Sequence, residues 1–165
     1  MANKTVLERR IRFLLVFFIL ALGLAGLTAI PLRWELALLD HWFGAKSFLS
    51  QALPSLAGWI SRVNDSVQNG YGRYPLLAYG TDWLAFAHIV IAVAFLGPLR
   101  DPVRNIWVIE FGMIACILIL PWALIFGIVR HIPWFWTLID MSFGIFGILP
   151  LWLVRRDILR ISGEL

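Results

Sequence analysis

Long stretches without Asp, Glu, Lys or Arg alternate along this chain with short charged ones. Phe13–Leu32 gives twenty such residues, Trp83–Leu99 seventeen and Phe111–Val129 nineteen. Ile132–Val154 covers twenty-three and is interrupted only by Asp140. A helix needs about 20 apolar residues to cross roughly 30 Å of hydrocarbon. The pattern therefore predicts four transmembrane helices, at about 11–32, 82–99, 106–129 and 133–154. Thr81 or Asp82 is the expected N-cap of the second, and Asp101 followed by Pro102 the N-cap and first residue of the third. Pro133 is expected at the first position of the fourth, and Pro121 and Pro150 predict kinks.

The segment 33–80 is the one sizeable connection and is expected as an outer loop. Within it Leu49, Leu53, Leu56, Ile60 and Val63 recur at helical spacing, with Ser50, Ser55, Arg62 and Asp65 off that stripe. Trp42, Phe43, Phe48 and Trp59 lie nearby. This reads either as an interfacial helix on the outer leaflet or as a helix packed over the tops of the spans. Asn64-Asp65-Ser66 and Gln68-Asn69-Gly70-Tyr71-Gly72 read as turn and loop. The fold class expected is all-α integral membrane: a four-transmembrane-helix bundle with an interfacial helix in the first outer loop, one membrane domain over 1–165.

Composition agrees. Hydrophobic residues make up 61% of the chain and charged ones 15%, against about 45–50% and 25% in an ordinary soluble domain. That excludes a secreted disulfide scaffold, a disordered tail and a soluble enzyme. The net charge is +4, but the basic residues sit just outside the apolar runs, so no nucleic-acid partner is expected. With the N-terminus inside, nine cations (Lys4, Arg9, Arg10, Arg12, Arg100, Arg104, Arg155, Arg156, Arg160) are cytoplasmic. Five (Arg33, Lys46, Arg62, Arg73, Arg130) are outside. The positive-inside rule then puts both termini in the cytoplasm. The first apolar run is longer than a cleaved signal's usual 7–15 residues and no A-x-A site follows it, so it reads as an uncleaved anchor. Trp residues cluster near the span ends as aromatic belts do.

Few residues offer chemistry. Cys116 is the single cysteine, inside an apolar run, and reads as a small buried hydrophobe. There is no P-loop, GxGxxG, HExxH or GxSxG, and neither a cofactor nor a metal is expected. Helices in lipid pack through small residues, which picks out Ala21, Ala25 and Ala29 with Gly23 and Gly26 on the first span. Ala85, His88 and Ala92 share a face of the second, and Asp140, Gly144 and Gly147 a face of the fourth. Asp140 and His88 each lie six residues in from the outer end of a span, about 9 Å deep. Asp82, Arg130 and His131 stand above them, so Asp82, His88, Arg130, His131 and Asp140 form the expected outward-facing binding site between spans two and four.

Three readings of that group compete. An Asp140–His88 hydrogen bond can simply hold two helices together. The pair can bind a polar headgroup or small substrate or relay protons, which makes His88 and Asp140 the catalytic candidates. A metal or haem site is the third, although His131 lies too far above His88 for haem and zinc lacks a third ligand at that depth. Glu110, near Arg104, Arg155 and Arg156, reads as a charge pair anchoring helix ends, and His41 beside Asp40 as a solvated loop residue. The function expected is that of a binding or accessory membrane protein or a complex subunit, the alternative being a small intramembrane enzyme or transporter. Its partners would be the lipid bilayer and either other membrane subunits or a second copy of the chain.

Tyr79-Gly80-Thr81-Asp82-Trp83, Gly97-Pro98-Leu99-Arg100-Asp101-Pro102-Val103-Arg104-Asn105 and Leu138-Ile139-Asp140 together resemble a small bacterial family of four-helix inner-membrane proteins. The resemblance covers about 74 to 154 and implies a bacterial inner-membrane location without a named activity. Asp82 with His88, Glu110, Arg130 and Asp140 also bear comparison with the VanZ-like family. Their spacings depart from that pattern, and Arg100-Asp101-Pro102 has no counterpart in it.

Overall fold

The computed structural model describes residues 4–163, and all the secondary structure found there is helical. In chain order the helices are α1 (Lys4–Thr28), α2 (Leu32–Phe43), α3 (Leu49–Ala52) and α4 (Pro54–Arg73). A single 3-10 turn (Pro75–Leu77) leads into α5 (Ala78–Ala94), α6 (Leu96–Arg100), α7 (Ile106–Val129) and α8 (Trp134–Ser162). Four segments are long and apolar enough to cross a membrane: α1, Pro75–Arg100, α7 and α8. The chain divides into two compact units, one of residues up to Ala21 and from Ile91 onward, the other of Leu22–Val90.

In the first unit α7 and α8 form an antiparallel pair with the most extensive helix contact. Its core joins Ile11 and Leu15 of α1, Phe95, Ile109 and Cys116, and the α8 stripe Leu151, Val154 and Ile158. That stripe recurs at i, i+3 and i+7, one side of a helix. The small-residue face expected on α8 is used. A Cβ on Gly144 would run into the carbonyl oxygen of Cys116, and one on Gly147 would stand 3.0 Å from its sulfur. Cys116 is thus a buried spacer between two glycines. On α1 the expectation fails in part, because Ala21 and Ala25 are exposed and the buried small residue is Gly26.

The expected caps are placed differently. Asp101 closes a turn instead of capping α7: its Oδ1 accepts the Arg104 N–H at 3.1 Å, and Asn105 occupies the N-cap. Asn105 Nδ2 donates to the carbonyls of Asp101 (2.9 Å) and Gly97 (3.3 Å), tying the α6–α7 connection to itself. Thr81 lies inside α5, its hydroxyl donating back to the Ala78 carbonyl at 2.8 Å. Pro133 is the N-cap of α8 and not its first helical residue.

Between α7 and α8 the chain turns through His131 at φ 55°. The Ile132 N–H reaches the Gly127 carbonyl at 2.8 Å and the His131 N–H that of Ile128 at 3.2 Å. This is the paired bonding of a helix end closed by a left-handed residue, a position normally held by Gly. For an L side chain the left-handed well costs about 1–2 kcal/mol, and a β-branched one tolerates it least. His131→Gly is therefore expected to raise unfolding free energy in detergent by about 0.5–1 kcal/mol, and His131→Val to lower it. Equal unfolding midpoints for the two variants would contradict this reading of the turn.

In the second unit α2 and α4 pack as an antiparallel pair. A polar ladder joins them. Ser61 Oγ donates to Asp40 Oδ1, Asn64 Nδ2 to Asp40 Oδ2 at 3.1 Å, and Gln68 Nε2 to the Arg33 carbonyl at 2.7 Å. Arg33 Nε returns a bond to Gln68 Oε1 at 3.1 Å. This overturns two expectations. Asn64–Gly72 is helix, because Asn64 and Gln68 find partners on α2 instead of bending their own backbone into turns. The stripe from Leu49 to Val63 is not one face either: Leu49 belongs to the separate α3, Leu53 is exposed, and Ala57 and Ile60 are the buried positions. Pro54 opens α4 at its first turn, where its missing N–H is harmless. An exposed apolar stripe of this unit lies on α2, at Trp34, Leu38 and Trp42, spaced i, i+4 and i+8. His41 is exposed on that same helix, its ring edge-on to Trp42.

Candidate functional site

The last turns of α7 run beside the first turns of α8, separated by the tight turn at His131. A cleft of about 570 Å³ opens along them. Leu118, Trp122 and Phe126 of α7 and Ile132 form apolar walls, while Arg130 and Asp140 supply the charged lining. The wall positions fall at i, i+4 and i+8 on α7, so one helix face builds the apolar side. Gly127 permits the approach of α8 at the cleft's end, since a Cβ there would lie 2.7 Å from Thr137 Oγ1.

The structure thus brings two of the five expected site residues, Arg130 and Asp140, into one cleft. Asp140 is half-buried, and no described residue of its own unit donates a hydrogen bond to its carboxylate. Arg130 and His131 are both exposed, Arg130 at the C-cap of α7 and His131 on the left-handed turn after it. A guanidinium and a carboxylate in an otherwise apolar groove can orient a ligand that carries both an acceptor and a donor.

Asp82 and His88 belong to α5 in the second unit. Asp82 is exposed. His88 is half-buried beside α1: a Cβ on Gly26 would sit 2.7 Å from its Cβ and 3.0 Å from the Ala85 carbonyl oxygen. Its Nδ1 is 2.8 Å from the Leu84 carbonyl one turn earlier, so this ring nitrogen is satisfied within its own helix. A carbonyl oxygen can only accept, so Nδ1 carries the hydrogen in that contact.

Among the described residues, the most completely buried charge is one that sequence reasoning passed over. Asp157 on α8 has a side chain with no exposure, and Arg10 of α1 meets both of its oxygens, Nε donating to Oδ2 and Nη2 to Oδ1, each at 2.5 Å. Arg156 Nε lies 3.7 Å from the same carboxylate, and its guanidinium stacks 5.0 Å over the Trp152 ring. The signal was present in the spacing, since Asp157 falls on the stripe of Leu151, Val154 and Ile158. Glu110 takes the role expected of it with one of its three candidate partners, accepting from Arg155 Nε at 2.9 Å. Comparison with known proteins finds no family model that matches this chain, no similar curated protein and no similar solved structure.

Proposed function

We propose that the chain is a multi-pass protein of the bacterial inner membrane, both termini cytoplasmic, that serves as a binding or accessory component. Its binding site is the outward end of the α7–α8 cleft. The observation that carries this is the pairing of Arg130 and Asp140 with apolar walls in one groove of about 570 Å³, the size and make-up of a small-molecule site. Orientation is supported by the nine-to-five division of cations. The exposed Trp34, Leu38 and Trp42 stripe favours α2 as the interfacial element, with its polar side engaged by α4. The ligand is an amphiphile: its apolar body lies along Trp122 and Phe126, and its polar end between the guanidinium and the carboxylate.

Native mass spectrometry of the full chain purified in dodecyl maltoside tests this. The wild type is expected to retain a small-molecule mass that both Asp140→Asn and Arg130→Gln lose. Asn keeps the shape of Asp140 but not its charge, so the unfolding free energy should move by less than about 1 kcal/mol. A wild-type chain without any bound mass, or one retained equally by Asp140→Asn, defeats the binding assignment.

A further inference from the structure

At the opposite end of the first unit a second cleft, of about 270 Å³, lies where α1 meets the α6–α7 connection and the end of α8. Lys4, Glu8 and Arg12 line one side, and Leu99, Val103 and Ile161 are among its apolar residues. We propose that this cleft holds the headgroup of an amine-bearing glycerophospholipid, of which phosphatidylethanolamine is the simplest. The inference rests on the membrane reading above.

Three observations carry it. Lys4, Glu8 and Arg12 stand at i, i+4 and i+8, so cation, carboxylate and cation alternate along one face at a rise of about 6 Å per step. The fold leaves them available: Asp157 and Glu110 take up Arg10, Arg155 and Arg156, whereas no ion pair among the described residues involves Lys4, Glu8 or Arg12. Their order matches the lipid's. Arg12 adjoins the uncharged run that starts at Phe13, with Glu8 one turn further out. In the lipid the phosphate adjoins glycerol, and the ammonium follows two carbons further out. The Arg12 guanidinium therefore meets phosphate oxygens, and Glu8 accepts from the ammonium N–H groups. Lys4, beyond Glu8, leaves the site with a net positive charge. The apolar residues receive glycerol and the first methylenes, which a free phosphate compound lacks.

The test offers the delipidated full chain an equimolar mixture of dioleoyl phosphatidylethanolamine, phosphatidylcholine and phosphatidylglycerol, with retention counted by native mass spectrometry. The ethanolamine lipid should be retained about fivefold over each of the others, the effect of one charge contact near a membrane surface. Choline has no N–H for Glu8, and the glycerol headgroup has no cation. Glu8→Gln should erase the preference, and Arg12→Gln should reduce retention of all three. Because Glu8 is exposed, Glu8→Gln carries the test if Arg12→Gln misfolds. Equal retention by the wild type, phosphatidylglycerol in first place, or a preference that survives Glu8→Gln overturns the proposal. Displacement of the lipid by millimolar phosphoethanolamine overturns the lipid as occupant. Flotation with phosphatidylcholine vesicles separates the two readings. A chain that does not float defeats the membrane reading, while one that floats without headgroup preference defeats only this inference.

Discussion

Arg10→Ala is expected to lower the unfolding free energy in detergent by about 3 kcal/mol, the low end of what breaking a buried ion pair costs. The low end applies because the Arg10 side chain is 42% exposed, whereas that of Asp157 has no exposure at all. The loss comes less from attraction forgone than from a carboxylate left inside the protein with only Arg156 Nε, 3.7 Å away, to answer it. That reasoning makes a sharper demand. Arg10→Leu combined with Asp157→Leu removes both charges, so the double variant should recover most of what Arg10→Ala loses. Denaturant titration of the three proteins measures both effects. A double variant as unstable as the single one would mean that the pair itself, and not the stranded charge, sets the stability.

Gly144→Ala is expected to cost about 1–3 kcal/mol, an overpacking penalty with no easy relief. The atom in the way is the Cys116 carbonyl oxygen, part of the α7 backbone, so the added methyl must push two helices apart instead of turning a side chain aside. The opposite sign is expected on α4. Gly58 has open space where its Cβ would be, and Gly58→Ala should gain about 1 kcal/mol from helix propensity. Identical chemistry at two helical glycines thus separates packing from propensity. A stabilised Gly144→Ala would show that α7 and α8 do not approach through that residue.

The long helices could be read from the chain because apolar run length reports directly on the solvent a helix must face. The region from α2 to α4 could not. There polar side chains do much of the joining: Asp40, Asn64 and Gln68 link the two helices beside the buried Ala57 and Ile60, while Trp34, Leu38 and Trp42 point away. α2 buries no residue that would mark it as a packed helix, and the Asn, Asp, Ser and Gly residues of Asn64–Gly72 carry the signature of turn and loop although they are helical. Asp157 escaped for a related reason. A charge at the end of an apolar run reads as solvated unless its partner is known, and its partner lies 147 positions away.

By itself, then, the sequence determined the helical class, the four long apolar segments and the face of α8 that carries Asp140, Gly144 and Gly147. These follow from local composition and helical spacing, which need no knowledge of the neighbours. Only the tertiary structure decided that Arg130 shares a cleft with Asp140, that His88 Nδ1 turns to the backbone of its own helix, and that Arg10 closes on Asp157. Those outcomes depend on which segments meet and how closely. Contact between residues far apart in the chain is set by the packing of whole helices, not by any pattern within one of them.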